Sequence, residues 1–338
     1  MILTIPESFV EQLEISCLSL DEVLSNSYEP LPENERNPLL ATERFDRWVE
    51  IAAGGDSAQF ARRLDVTSLS FEDVLARFGG VRRAPDESPP DWIGDVHSTI
   101  ELLRKEGSDG SRWSNIPFGP LLGPVLEWYS AKLWSYPGIA DVDPPIRCKI
   151  EDHLAMKIAS LCEMPFYEQM LIWRAERIAE AEAGDPDAMS QLLAEDLKHF
   201  ISWFRRTGMD RLVTRCPVLF RVMAVSISHW RAAYGSFLRR LMNDRAAIAA
   251  TPGMPAADEV VTQLEWGHSD PHNGGHSVLS IRFSGGSTLF YKPKDLGADL
   301  FLAEFIARMK ASGYRKELTL PRALQREGYG WTISVEKR

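Results

Sequence analysis

The hydrophobic pattern of this chain changes at residues 251–259, TPGMPAADE, and the change predicts two kinds of structure. Before this segment, apolar residues recur three and four positions apart, which places their side chains on one face of an α-helix. After it, short runs alternate apolar and polar residues, which is the pattern of β-strands. We therefore predict an α+β protein with a helical domain at residues 1–250 and a strand-rich domain at residues 251–338.

The clearest helical pattern precedes this change and forms one apolar stripe. The stripe comprises Phe220, Met223, Ile227, Trp230, Tyr234, Phe237 and Leu241. Five other segments have the same periodicity: 43–53, 70–78, 121–134, 153–175 and 189–204. Pro-rich stretches separate several of them and end helices because proline lacks a backbone donor. Stripes of this kind are usually core, so the helical domain reads as a scaffold.

The strand-rich domain has the order strand, loop, strand, turn, strand, helix, strand, strand. The predicted strands are 260–266, 278–283, 287–292, 318–327 and 330–336. SGG at 284–286 joins the second and third strands in a hairpin. A helix is predicted at 299–312, with Gly313 as its C-terminal signal. Together they predict an antiparallel sheet with one helix.

Composition limits the possible partners and compartments. A formal net charge of -10 and a pI of about 5.3 argue against nucleic acid as the main partner. The four cysteines form no C-x-x-C pair, which argues against a disulfide framework or a cysteine zinc site. Without a basic signal-peptide region or a long apolar run, we expect a cytoplasmic protein with no stable membrane insertion.

The stretch HSDPHNGGH at residues 268–276 places three histidines four positions apart. A metal site with this spacing needs a helix to bring the three imidazoles onto one face. Pro271 removes a backbone donor in the middle of the stretch, and Gly274 and Gly275 disfavour a helix. We therefore expect a loop and no metal site.

The same loop is suited to an anion. Gly274 and Gly275 let the backbone N–H groups approach a phosphate, and Lys292 ends the third strand. Glu304, on the helix that follows, is expected to orient Lys292 by an ion pair. This is the logic of a kinase small lobe, although the spellings G-x-G-x-x-G and V-A-I-K are absent. The alternative is an ordinary hairpin with a polar turn and an exposed lysine.

Two motifs resemble class II lanthipeptide synthetases, the LanM family. The loop resembles the family's Gly-Asp-x-His-x-x-Gly-Arg-x-Val and the third strand its Tyr-Lys-Pro-Arg. The matching residues are Asp270, His272, Gly275, Val278, Tyr291, Lys292 and Pro293. Residues 216–248 also resemble the family's helical Tyr-Pro-x-Leu-x-Arg segment with its Asp-Arg ending. Three positions differ: Ser269 replaces glycine, and His276 and Lys294 each replace arginine.

The resemblance implies a dehydratase that uses ATP and Mg²⁺. Such an enzyme phosphorylates Ser or Thr of a precursor peptide, leader plus core, and then eliminates phosphate to give a dehydroamino acid. The implied catalytic residues are Asp270, His272 and Lys292. The implied nucleotide-binding residues are Gly274, Gly275, Lys292, Lys294 and Glu304. Asp270 could instead bind metal or fix the loop, and His272 could act as an acid or base or only hydrogen-bond locally.

Family members continue beyond this point into a larger catalytic lobe and a zinc-dependent cyclase domain. This chain ends at Arg338 without a candidate for the catalytic loop, so we expect a fragment or split subunit that is inactive alone. Whether this chain is itself an enzyme therefore stays open. One alternative is a non-catalytic module that binds a peptide or completes a partner enzyme. A metal hydrolase using His268, His272 and His276 is disfavoured by the loop.

Overall fold

A computed structural model describes residues 7–67, 69–106, 112–139, 142–182, 197–316 and 320–334. It confirms the α+β class, with a large helical region and an antiparallel sheet. The helices of the described residues are α1 (Glu7–Cys17), α2 (Leu20–Val23), α3 (Pro38–Ala53), α4 (Ser57–Thr67), α5 (Phe71–Phe78), α6 (Asp91–Arg104), α7 (Gly119–Trp134), α8 (Pro144–Glu182), α9 (Leu197–Trp203), α10 (Met209–Arg215), α11 (Pro217–Ala250) and α12 (Gly297–Ala311). A 3-10 turn covers Glu33–Glu35 and a π turn Phe204–Gly208.

The strands of the described residues form two sheets. They are β1 (Tyr28–Pro30), β2 (Val81–Arg83), β3 (Val261–Glu265), β4 (Leu279–Phe283), β5 (Thr288–Lys292), β6 (Ala323–Arg326) and β7 (Tyr329–Ile333). β1 pairs with β2, and the other five form a sheet in the order β3-β4-β5-β7-β6. All pairs in both sheets are antiparallel.

Backbone contacts divide the chain into two compact units. One comprises residues 1–98 and 213–221, and the other comprises residues 99–212 and 222–338. The predicted domain boundary at residue 250 stays a prediction. The expected change of secondary structure is confirmed there, because α11 ends at Ala250 and β3 begins at Val261.

The first unit contains an aromatic core between α3, α4 and α5. The rings of Trp48 and Phe60 meet edge to face with centroids 4.7 Å apart, and Phe78 is buried beside them. Asn37 caps α3 by accepting the N–H of Leu40, because a side-chain oxygen can satisfy a free donor in the first turn. The core and the cap together explain why short segments form stable helices here.

The second unit contains α7, α8, most of α11, α12 and the five-stranded sheet. The predicted stripe on α11 is confirmed, since each of its seven residues is at most 8% exposed. The predicted apolar face of β4 is also confirmed, because Leu279, Ile281 and Phe283 are buried. On the other face Arg282 is exposed, but Ser280 is buried. This face of the sheet packs on the long helices, as contacts between Phe237 of α11 and the sheet aromatics show.

The predicted turns also form. SGG at 284–286 joins β4 to β5, and Gly286 has a φ of +87°, which disfavours residues with a Cβ. α12 ends at Ala311, two residues before Gly313 with a φ of +97°. Of the predicted helix at 189–204, residues 189–196 lie outside the described residues. Residues 318 and 319 of the fourth predicted strand also lie outside them.

No single helix of the described residues is both long and apolar enough to span a membrane. Leu197–Arg215 and Pro217–Ala250 reach that length and hydropathy only as a pair, across a bend of 94°.

Candidate functional site

The histidine stretch between β3 and β4 is a loop, as its sequence predicts, and the structure shows that the loop closes as a small hairpin. The backbones of His272 and His276 exchange two hydrogen bonds of 2.8 and 2.9 Å. Between them, Asn273, Gly274 and Gly275 have φ values of +44°, +79° and +88°. Three consecutive left-handed residues cannot continue a right-handed helix, so the four-residue spacing of the histidines does not stack them. Within the described residues, no group of three or more potential metal ligands occurs.

Gly275 is where the loop approaches α11. A Cβ at this position would lie 2.9 Å from the Cβ of His229 and 3.4 Å from its carbonyl carbon. A side chain is therefore excluded by packing as well as by backbone conformation. This close approach explains the glycine without any ligand, and the predicted phosphate role of Gly274 and Gly275 stays a prediction.

Ser269, which departs from the LanM motif, closes the base of the loop. Its hydroxyl accepts the N–H of Val278 at 3.0 Å and donates to the carbonyl of Asp270 at 3.2 Å. A glycine would provide neither bond. The serine therefore ties the two ends of the loop together across nine residues.

The side chains of Asp270 and His272 are exposed on the outside of this loop. His268, nearby in the sequence, instead hydrogen-bonds the hydroxyl of Ser280 at 2.9 Å, and that hydroxyl donates to Glu265 at 3.4 Å. The structure thus separates the three histidines. His268 contacts the sheet, His272 faces solvent, and His276 is partly buried.

Lys292 ends β5 beside the point where the loop enters β4. Tyr291 lies opposite Leu279, on the face that packs on the helices. Because side chains alternate along a strand, Lys292 points to the other face. There its Nζ lies 3.4 Å from Oδ1 of Asp299, in the first turn of α12. The Lys292 side chain is 22% exposed and that of Asp299 34%, so the cation is half-buried yet accessible to an anion.

The predicted ion pair between Lys292 and Glu304 is wrong. Glu304 pairs with Arg308, one turn along α12, at 2.5 Å. With 3.6 residues per turn, Glu304 lies about 140° around the helix from Asp299, so the two cannot face the same strand. The carboxylate beside Lys292 is Asp299. Nucleotide binding by Glu304 and by the exposed Lys294 remains a prediction.

On the opposite face, the sheet contacts two charged residues of α11, Arg240 and Asp244. The sequence alone did not mark either as a site residue. Arg240 donates to the hydroxyl of Tyr291 at 2.5 Å. Asp244, only 5% exposed, accepts hydrogen bonds from Arg326, Tyr329 and Trp331 at 2.8, 2.9 and 2.8 Å. The only sequence signal was the Asp-Arg pair at the end of the helix, which had no assigned role.

Two imidazoles lie where the loop meets the helices. His153 of α8 stacks on Trp266 with centroids 4.4 Å apart and hydrogen-bonds Tyr234 at 2.7 Å. Burial, with Lys157 nearby, lowers the pKa of His153 to about 4. Burial, followed by Arg240 and His229, also lowers the pKa of His276.

His276 lines a small pocket between the loop and the helices. The pocket has a volume of about 30 Å³, and His153, Lys157 and Tyr234 also line it. Nδ1 of His276 is buried and has no hydrogen-bond partner within the described residues. This volume suits about one or two water molecules, so the pocket is too small for a nucleotide.

Residues 216–338 match the sequence profile of a family described as a domain of unknown function, DUF4135. No curated protein matches the chain. The matched segment contains α11, the histidine loop, the five-stranded sheet and α12. The helix–sheet contacts of Arg240 and Asp244 and the Lys292–Asp299 pair therefore all lie within the matched segment.

Proposed function

We propose that this chain is the N-terminal part of a cytoplasmic lanthipeptide-type dehydratase, with its phosphate-binding group at Lys292. The observation that carries the proposal is the geometry of Lys292. It ends the third strand of an antiparallel sheet and meets a carboxylate in the first turn of the next helix. In protein kinases a lysine on the third strand contacts the nucleotide phosphates, and an ion pair with a carboxylate of the next helix holds that lysine in place. The resemblance of the Tyr-Lys-Pro and Asp-x-His motifs to LanM enzymes is the reason for proposing a dehydratase and not another kinase-type enzyme.

The residues on this face fit ATP and Mg²⁺. A half-buried ammonium attracts phosphate more strongly than an exposed one, because less water screens it. Asp299 supplies carboxylate oxygen, the type of ligand that Mg²⁺ prefers. ATP, when bound, supplies the phosphoryl group for Ser or Thr of a precursor peptide. Lys292 neutralises phosphate charge, and Asp299 holds Lys292 in place or binds the metal.

The histidine loop contributes groups of a different kind. Asp270 and His272 are both exposed, so a peptide substrate can reach them. A carboxylate can bind Mg²⁺, and an imidazole can accept or donate a proton near neutral pH. We propose these roles for Asp270 and His272, with Gly274 and Gly275 shaping the loop.

Calorimetric titration with Mg·ATP tests this proposal on the full chain. We expect saturable binding that Lys292→Ala weakens about tenfold or more, because a charge-assisted phosphate contact is lost. Lys310→Ala is the matched control, since it removes the same charge from an exposed position on α12. Equal affinities for the wild type and Lys292→Ala would refute the phosphate role, and no binding by the wild type would count against the proposal.

The second candidate is a non-catalytic module that binds a peptide or completes a partner enzyme. It is favoured by the apolar surface of α12, where Phe301 is 71% and Phe305 49% exposed. Exposed apolar surface of this kind often marks an interaction site. This candidate predicts no saturable Mg·ATP binding, together with weaker partner binding in Phe301→Ser.

A further inference from the structure

Tyr291 and Lys292 are neighbours on β5 whose side chains lie on opposite faces of the sheet. Tyr291 is 1% exposed, and its ring packs 5.3 Å from that of Phe237 on α11. Its hydroxyl accepts the hydrogen bond from Arg240. The strand is thus attached to α11 at the residue immediately before Lys292.

Arg240 is itself held in place. Its guanidinium lies 4.1 Å from the ring centroid of Tyr329, a distance at which a cation is attracted to the ring face. The hydroxyl of Tyr329 donates to Asp244, one helical turn from Arg240. Arg240 and Asp244 therefore connect one helix to β5, β6 and β7 through polar bonds of fixed geometry.

On its own face of the sheet, Lys292 is held less firmly than Tyr291 is on the other. Its contact with Asp299 is 3.4 Å long, and both side chains are partly exposed, so solvent screens the pair. Because side chains alternate strictly along a strand, fixing Tyr291 on one face also fixes the direction of Lys292 on the other. We propose that Arg240 is a positioning residue for Lys292, acting through Tyr291.

The first test measures Lys292 without any nucleotide. The full chain is treated with a lysine-acylating reagent at 25 °C, and mass spectrometry gives the rate at Lys292 relative to exposed Lys294. We expect Arg240→Ala to raise this ratio about threefold, the size expected when a screened ion pair is loosened. Tyr291→Phe, which removes only the hydroxyl, should act in the same direction, and Arg240→Lys should restore part of the wild-type ratio.

Arg239→Ala is the matched control, because it removes the same charge from the adjacent, exposed position of α11. It should leave the ratio unchanged. A purely structural role for Arg240 would lower the unfolding temperature without changing this ratio in the folded chain. An unchanged ratio in folded Arg240→Ala and Tyr291→Phe would overturn the inference.

The second test rests on the proposed function. Arg240→Ala and Tyr291→Phe should each weaken Mg·ATP binding about threefold, less than Lys292→Ala, because Lys292 is loosened and not removed, whereas Arg239→Ala should not weaken it. If the wild type binds no Mg·ATP, the proposed function fails, but the acylation result still decides whether Arg240 positions Lys292. If Mg·ATP binds and both variants bind it as the wild type does, the inference is wrong.

Discussion

Replacing Asp244 with asparagine is expected to destabilise the second unit, because one of the three hydrogen bonds that Asp244 accepts is lost. In the wild type, Oδ1 accepts from Arg326, while Oδ2 accepts from Tyr329 and Trp331. An asparagine has one acceptor oxygen and one NH₂ donor, and neither the arginine nor the indole can accept a hydrogen bond. The NH₂ should replace Oδ1, because Arg326 is 31% exposed and can turn to water, whereas Trp331 is fully buried.

The size of the effect follows from these contacts. Losing one charge-assisted bond at a site that is only 5% exposed should cost about 2 kcal/mol, because the released arginine is solvated. Asp244→Ala should cost about 4 kcal/mol, because it also leaves the buried indole N–H without an acceptor. The ranking, alanine worse than asparagine, is the sharper part of the prediction.

Urea unfolding of the full chain measures both values, and hydrogen exchange of β6 and β7 locates the effect. Asp152→Asn is the control: it removes the same charge from a 2.7 Å pair with Arg112, but this carboxylate is 45% exposed. That loss should stay below about 1 kcal/mol. If Asp244→Asn and Asp152→Asn cost the same, the argument from burial is refuted.

The Asp244 effect should also depend on pH. Burial acts to raise the pKa of Asp244, but the hydrogen bonds from Arg326, Trp331 and Tyr329 outweigh burial and lower it from 3.8. A lowered pKa in the folded state means that the carboxylate stabilises fully above about pH 4, and that this stability disappears as the pH falls through the folded value. The difference in unfolding free energy between the wild type and Asp244→Asn should therefore become smaller below about pH 4.

Three further substitutions probe the loop and helices. Because the pKa of His153 is lowered to about 4 by burial and Lys157, the wild type should lose up to about 2 kcal/mol from pH 7 to 5. His153→Gln should lose less, and equal pH slopes in urea unfolding would contradict this. Gly275→Ala should cost about 2 kcal/mol more than Gly286→Ala, which has a similar φ but open space; equal unfolding energies would exclude the clash. Met223→Asp, at a fully buried site, should prevent folding, and a soluble variant with native circular dichroism would disprove the stripe.

Local sequence patterns predicted several of the helices and the strands of the five-stranded sheet, because hydrophobic periodicity is itself local. They missed β1 and β2, two three-residue strands inside the region predicted to be helical, because so short a strand carries no periodic signal. The α11 stripe and the alternation in β4 depend only on the period of each element. Likewise, Pro271 and two glycines were enough to exclude a helix in the histidine loop. Each of these predictions is confirmed by burial or backbone geometry.

The charged contacts could not be predicted in the same way. Arg240 and Tyr291 are 51 positions apart, and Asp244 lies 82 to 87 positions from its three donors. Nothing in either segment alone marks these pairs, because they exist only when α11 packs on the sheet. The error with Glu304 has another cause. The helix was predicted, but its rotation relative to β5 was not, and rotation decides which carboxylate faces Lys292.

The histidine loop contains two glycines, which are conformationally free residues, but it is attached at three points. Ser269 bonds Val278 at its base, His272 and His276 close the hairpin, and Gly275 packs on α11. Glycines raise the conformational entropy of an unrestrained loop, and binding a ligand to such a loop costs more free energy. Because the attachments already restrain the loop in the unbound protein, they reduce the free-energy cost of ordering it when a ligand binds. On the proposed function, we expect the two hydrogen bonds of Ser269, which the LanM glycine would lack, to hold the loop in place before phosphate binds.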